Sequence, residues 1–287
     1  MEERFTMKDD FYTFGGGHFW EDLFFYQKWR IQRNYITKKC RLLDNWDIRR
    51  HEGSFEECRK AFVNYIEAHQ IARQKGHMVV MIHSIGQPKN IFKPLWRKVL
   101  SEGMLAAAVN YPSTQKPLSA HVKQFHFFLN HLEDVDKVSF VTYGAGNLLL
   151  QALFKEKAEW QKKLELGRVV EVSPYTYGSK LWNKLGSMKL IDFVVGPMAK
   201  DLSPKKVALL PQITAMETGI ISTGRNFVET ILEMLTRTTM PYHSLVEVKK
   251  DAKAKSIIEI DDNHFNVFKN PEVCEKVALF LKKGVFD

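Results

Sequence analysis

Cysteine is scarce. The 287 residues contain three, Cys40, Cys58 and Cys274. They are far apart and odd in number, which argues against a disulfide framework and fits a reducing compartment, taken here as the cytoplasm. No pair has metal-ligand spacing, so neither a metal nor a cofactor is expected. Long apolar runs are missing too. No stretch approaches ~18 uncharged apolar residues, so no membrane-spanning helix is expected. The N-terminus, Met-Glu-Glu-Arg-Phe-Thr, has no apolar segment leading to a small-residue cleavage site and does not read as a signal peptide. Repeats and low-complexity tracts are absent. Charge is not balanced: the formal net charge is +9. The cations are spread along the chain, with short clusters at Lys38-Lys39-Cys40-Arg41 and Lys249-Lys250. No nucleic-acid motif accompanies them, and solubility is the favoured explanation, beside a weak attraction to anionic membrane surfaces.

What is present is a regular alternation of strand and helix signals. Met78–Ile82 is a continuous apolar run of the kind found in a central parallel strand. A helix follows from about Phe92 to Ser101, then a strand over Leu105–Val109. Pro117 opens a helix whose stripe is Leu118, Val122, Phe125, Leu129 and Leu132. Arg168–Val172, Glu217–Ser222 and Ser256–Ile260 are further strands. Asn270-Pro271 caps a last helix that stops at Gly284. This order predicts an α/β fold with a mostly parallel central sheet and helices on both faces. It occupies residues 78–287.

Residues 1–77 are expected to form an extension packed on that core. Trp20, Leu23, Phe24 and Ile31 approximate one helical face in an aromatic-rich run, which predicts a helical, aromatic N-terminal segment. It is read as packing over the core, with docking on lipid or a partner as the alternative. Ser54-Phe55-Glu56-Glu57 is a capping box that opens a helix.

The organising stretch is Val138–Leu150: a buried strand, a tight turn and a buried helix. The turn is Thr142-Tyr143-Gly144-Ala145-Gly146, with small residues at its last three positions. In sequence order the motifs resemble those of bacterial lipases and esterases of the α/β-hydrolase fold, over roughly residues 78–287. The resemblance rests on Val79-Val80-Met81-Ile82-His83-Ser84, Asn110-Tyr111-Pro112-Ser113-Thr114, the Gly144 turn, Gly167-Arg168-Val169-Val170 with Ser173-Pro174, Gly219-Ile220-Ile221 and Asn263-His264.

That resemblance implies a nucleophile elbow at the turn. Gly144 stands at the nucleophile position and has no side chain. His264 matches the histidine. No acid matches: Met240–Ser244 holds none, and Glu247 and Asp251 are displaced. His83 and Ser84 match the oxyanion loop, where the family usually has Gly after His. Tyr143 and Ala145 flank the elbow. Ser84, Ser113 and Tyr143 are the only nearby hydroxyls weighed as displaced nucleophiles. The favoured reading is a fold that has lost catalysis and serves as a binding or scaffolding module for an apolar or lipid-like ligand or a protein partner. The alternatives are an active ester or lipid hydrolase with a rearranged site, and a peripheral membrane protein.

Overall fold

A computed structural model describes residues 19–175, 196–223, 254–261 and 266–287. The chain begins there with four antiparallel strands, β1 (Trp20–Tyr26), β2 (Trp29–Asn34), β3 (Cys40–Leu43) and β4 (Arg49–Gly53), paired in that order. Helix α1 (Phe55–His69) follows. Then come β5 (His77–Ile82), α2 (Lys93–Ser101), β6 (Leu105–Val109), α3 (Leu118–Asn130), β7 (Lys137–Tyr143), α4 (Gly146–Leu153), a short α5 (Trp160–Lys163) and β8 (Glu165–Val172). A short α6 (Pro204–Val207), β9 (Glu217–Ser222), β10 (Ser256–Glu259) and α7 (Pro271–Lys283) complete the described elements.

The six later strands form one parallel sheet in the order β10-β9-β8-β7-β5-β6. Alternate residues of each strand point to opposite faces. Val80, Phe140 and Val169 pack on one face with Phe125 and Phe128 of α3 and Leu148 and Leu149 of α4. Val79, Val141 and Val170 pack on the other with Leu95 and Val99 of α2 and Val277 and Phe280 of α7. The expected α/β architecture, with helices on both faces, is what the residues build. The helix ends also follow the sequence signals. Ser54 and Glu57 close a reciprocal capping box on α1, Asn270 caps α7 by accepting from Glu272 N–H, and Gly284 ends α7 in a left-handed conformation.

The segment read as an aromatic helix is instead β1 and β2. Gln27 and Lys28 join them with φ of +47° and +72°, a two-residue hairpin turn of the type that usually announces itself with Asn-Gly. Neither residue is Asn or Gly, so the signal was hidden. A register shift between Asp22 and Phe24 breaks the strict alternation, which let the aromatics mimic helical spacing. Phe24, Tyr26, Trp29, Ile31, Cys40 and Leu42 form a separate core with Cys58 and Phe62 of α1. Phe62 is its centre: its ring lies 5.0 Å from Phe24, 5.5 Å from Tyr26 and 5.8 Å from Trp29.

Side chains stitch this meander to the loop after β6. Asp22 N–H donates to Asn110 carbonyl, and Asn110 N–H donates to the Asp22 carboxylate at 2.6 Å. Asn110 Nδ2 donates to Trp20 carbonyl, and Gln124 Nε2 to the carbonyls of Asp22 and Asn110. The buried Glu21 carboxylate pairs with Arg33 and Lys116.

Candidate active-site region

The region of interest is the carboxyl-terminal edge of β5 and β7, where loops leave a parallel sheet and ligands are commonly held. At the end of β7 the chain turns sharply into α4. Gly144 has φ +50°, a left-handed conformation that glycine adopts freely and other residues at a cost. Its N–H donates to Val172 carbonyl across to β8, and its carbonyl accepts from Asn147 N–H. Gly146 is needed for a different reason. A Cβ there would sit 2.6 Å from Ile82 carbonyl oxygen and 2.9 Å from that of His83, so α4 can approach β5 only without a side chain.

Beside this turn lies the loop that leaves β5. The Ser84 hydroxyl accepts the Ala145 N–H at 3.2 Å. A Cβ at position 144 would meet Ser84 Oγ at 2.6 Å and Ser84 Cβ at 3.0 Å. The space a side chain at position 144 would need is therefore filled by the side chain of Ser84, which is 1% exposed.

His83 is buried and fixed from two sides. Its Nδ1 donates to Ser84 carbonyl at 2.8 Å, which puts the proton on that nitrogen. Tyr111 stacks on its ring, centroids 4.1 Å apart, and the Tyr111 hydroxyl donates to His83 carbonyl at 2.5 Å. Tyr111 follows Asn110, so the meander, the loop after β6 and the loop after β5 form one hydrogen-bonded stack.

The sequence-selected residues divide accordingly. Gly144, Ala145, Tyr143, His83 and Ser84 come together at this edge. His264 lies outside the described residues, as do Met240–Ser244, Glu247 and Asp251. Ser113 is fully buried and its hydroxyl accepts the Gly86 N–H. Tyr143 is 4% exposed, with its ring edge-on to Phe268.

Two buried polar groups beside this region, Glu171 and His121, belong to none of the sequence motifs. Glu171 is 6% exposed in β8, directly across from Thr142 of β7. Burial raises its carboxyl to about 7, so it is largely protonated below neutrality and a poor electrostatic partner for an imidazolium. An acid inside the run Val169-Val170-Glu171-Val172 was the available signal. His121, against Tyr111, is held neutral by burial, its pKa lowered to about 3.

Strand order, the glycine turn between β7 and α4, and helices on both faces are the features that decide the fold. The chain has the α/β-hydrolase fold. A monoacylglycerol lipase from Paleococcus ferrophilus superposes on it with a TM-score of 0.50 at 13% identity, over 71% of this chain and 93% of that one. Tomato methylketone synthase I, with a TM-score of 0.48 at 13% identity, matches over 75% of this chain and 100% of its own. Polyneuridine aldehyde esterase, with a TM-score of 0.45 at 14% identity, matches over 72% and 98% respectively. No protein-family model and no curated protein sequence matches the chain. In α/β-hydrolase terms, the residue after the nucleophile supplies one oxyanion donor. The N–H of Ala145, which follows Gly144 in the turn, is given to the Ser84 hydroxyl.

Among the described residues no group of three or more His, Cys, Asp or Glu side chains could hold a metal ion, and no helix is long and apolar enough to cross a membrane.

Proposed function

We propose that this protein is a non-catalytic member of the hydrolase fold, kept as a binding or scaffolding module for an apolar or lipid-like ligand or a protein partner. One observation carries the reading. The Ser84 hydroxyl fills the place of the missing nucleophile side chain beside Gly144 and takes the Ala145 N–H. Two parts of acyl-transfer chemistry, an attacking oxygen and a free oxyanion donor, are thereby absent together. Ser84 is unsuited to replace the nucleophile. It is buried, and its oxygen occupies the donor that a tetrahedral intermediate would need.

The thiols offer no substitute. Cys40, Cys58 and Cys274 are buried, and burial raises each, Cys58 and Cys274 to about 11, which leaves them protonated and inert at neutral pH. Free buried thiols are consistent with a cytoplasmic location.

The test is a pair of variants assayed with short-chain aryl esters and a fluorophosphonate probe. The wild type is expected to show neither hydrolysis nor labelling. Gly144→Ser is expected to lose about 1–3 kcal/mol of stability, from the left-handed backbone and from contact with Ser84, and to stay unlabelled. Gly144→Ser with Ser84→Gly should recover part of that stability and admit the probe. Wild-type turnover that survives Ser84→Ala and Ser113→Ala but is abolished by His264→Ala would overturn the proposal.

A further inference from the structure

The buried polar side chains at the carboxyl edge of the sheet fall into two groups. Most have a partner. Ser84 takes the Ala145 N–H and Ser113 the Gly86 N–H. The Asn147 amide donates to Tyr175 carbonyl and accepts its N–H, and the Ser173 and Thr223 hydroxyls bond each other. Thr142 and Glu171 differ. Thr142 is fully buried, and its hydroxyl makes no hydrogen bond among the described residues. Among the same residues no hydrogen bond and no charge acts on the Glu171 carboxyl; burial alone moves it.

The two side chains are neighbours by register. Thr142 of β7 pairs with Glu171 of β8, so both project from one face of the sheet, on strands about 4.8 Å apart. It is the face of Phe140 and Val169, packed against α3 and α4. No described charge reaches it. Helix α4 carries none. Lys137 and Glu217 stand at the amino ends of β7 and β9, and Tyr143 lies on the opposite face. Short α5 runs directly into the amino end of β8. Buried polar groups are nearly always paired. Two unpaired ones side by side, where loops leave a parallel sheet, make a place for a third group to bond.

We infer that Thr142 and Glu171 hold the polar head of a ligand that is neutral and accepts hydrogen bonds, an amide or ketone carbonyl at the end of an apolar chain. Charge chooses the head. An anionic head would find no cation here. A cationic head would approach a chain of net charge +9. A buried carboxyl with no counter-ion stays protonated and donates, and the Thr142 hydroxyl donates as well. Two donors one strand spacing apart can meet on a single carbonyl oxygen. The inference rests on the binding role proposed above and narrows it to one head group.

The experiment is calorimetric titration of the full-length protein with three probes that share a decyl chain and differ in the head: N,N-dimethyldecanamide, decanoate and decylammonium. At pH 6 the amide is expected to bind about tenfold or more tightly than either ion. Its affinity should fall as pH rises to 9, because Glu171 gives up its proton near pH 7. Glu171→Gln keeps a donor and should bind the amide equally at both pH values. Thr142→Val with Glu171→Leu should weaken amide binding about tenfold or more, with thermal unfolding used to check that the double variant folds. Four results would overturn the inference: no binding of the amide, tighter binding of either ion, equal amide binding by a folded double variant, or a pH dependence that persists in Glu171→Gln. The last decides the matter even where the double variant does not fold. None of these results bears on the loss of catalysis, which ester hydrolysis and probe labelling test by themselves.

Discussion

The Gly144 turn and the seam between the meander and the parallel sheet are held by opposite means. At the turn almost everything is backbone: Gly144 to Val172, Asn147 to Gly144, and α4 pressed onto the carbonyls of Ile82 and His83. At the seam almost everything is side chain: Asp22, Asn110, Gln124, Glu21 and Lys116. A backbone-held site can lose its reactive side chain and keep its shape. A side-chain-held seam depends on the identity of each partner. That contrast explains how the turn between β7 and α4 keeps its shape with glycine at its apex.

The comparison is sharpest in variants that change side-chain bulk in opposite directions. Phe62→Ala removes the ring at the centre of the meander's core and is expected to cost about 3–5 kcal/mol. Limited proteolysis should then cut within residues 19–69 before the parallel sheet. Loss of β5–β8 protection at the same rate would mean the two cores unfold as one. Gly146→Ala adds a single methyl group, yet it should cost about 3 kcal/mol, because the atoms it meets are backbone and cannot rotate away. Chemical denaturation measures this. A change below about 1 kcal/mol would show that α4 can slide off β5.

The smallest expected effect concerns Glu171. Its folded pKa of about 7 lies above that of an unfolded glutamate, about 4.3. The native state therefore holds more protons than the unfolded state between these values, and stability falls as pH rises from about 4.3 to 7. Glu171→Gln should flatten that slope and be more stabilising at pH 8 than at pH 5. Unfolding curves at pH 5 and pH 8 decide it: an unchanged slope in the variant would mean another group titrates.

The parallel sheet was legible because its strands are continuous apolar runs and its helices carry ordinary caps. Leu105–Val109 and Glu217–Ser222 fall where the residue pattern puts them. Gly144 and Gly146 were legible because backbone demands leave few residue choices. The meander was not. Its hairpin turn uses Gln27 and Lys28 in place of glycine, and the register shift at Asp22–Phe24 obscures the period of two. Ser84 stands out as a departure from the Gly that usually follows His in the oxyanion loop, but its hold on Ala145 N–H depends on two loops 61 residues apart. Glu171 went unmarked because a one-residue break in an apolar strand says nothing about which side chain faces it.

The seam also orders events in time. Asp22 waits 88 residues for Asn110 and 102 for Gln124. On a ribosome adding about 5–20 residues per second, the first interval alone lasts roughly 4 to 18 seconds. The meander and α1 have their own apolar core within residues 19–69 and can close it during that interval. Glu21 already pairs with Arg33, and Asp22 with Gln32, inside the meander; their other oxygens stay hydrated until Lys116 and Asn110 emerge. The nascent chain thus carries a folded N-terminal unit with two half-satisfied carboxylates on its docking edge. Those charges keep that edge in water, and discourage it from pairing with a neighbouring chain, until the right loop has been made.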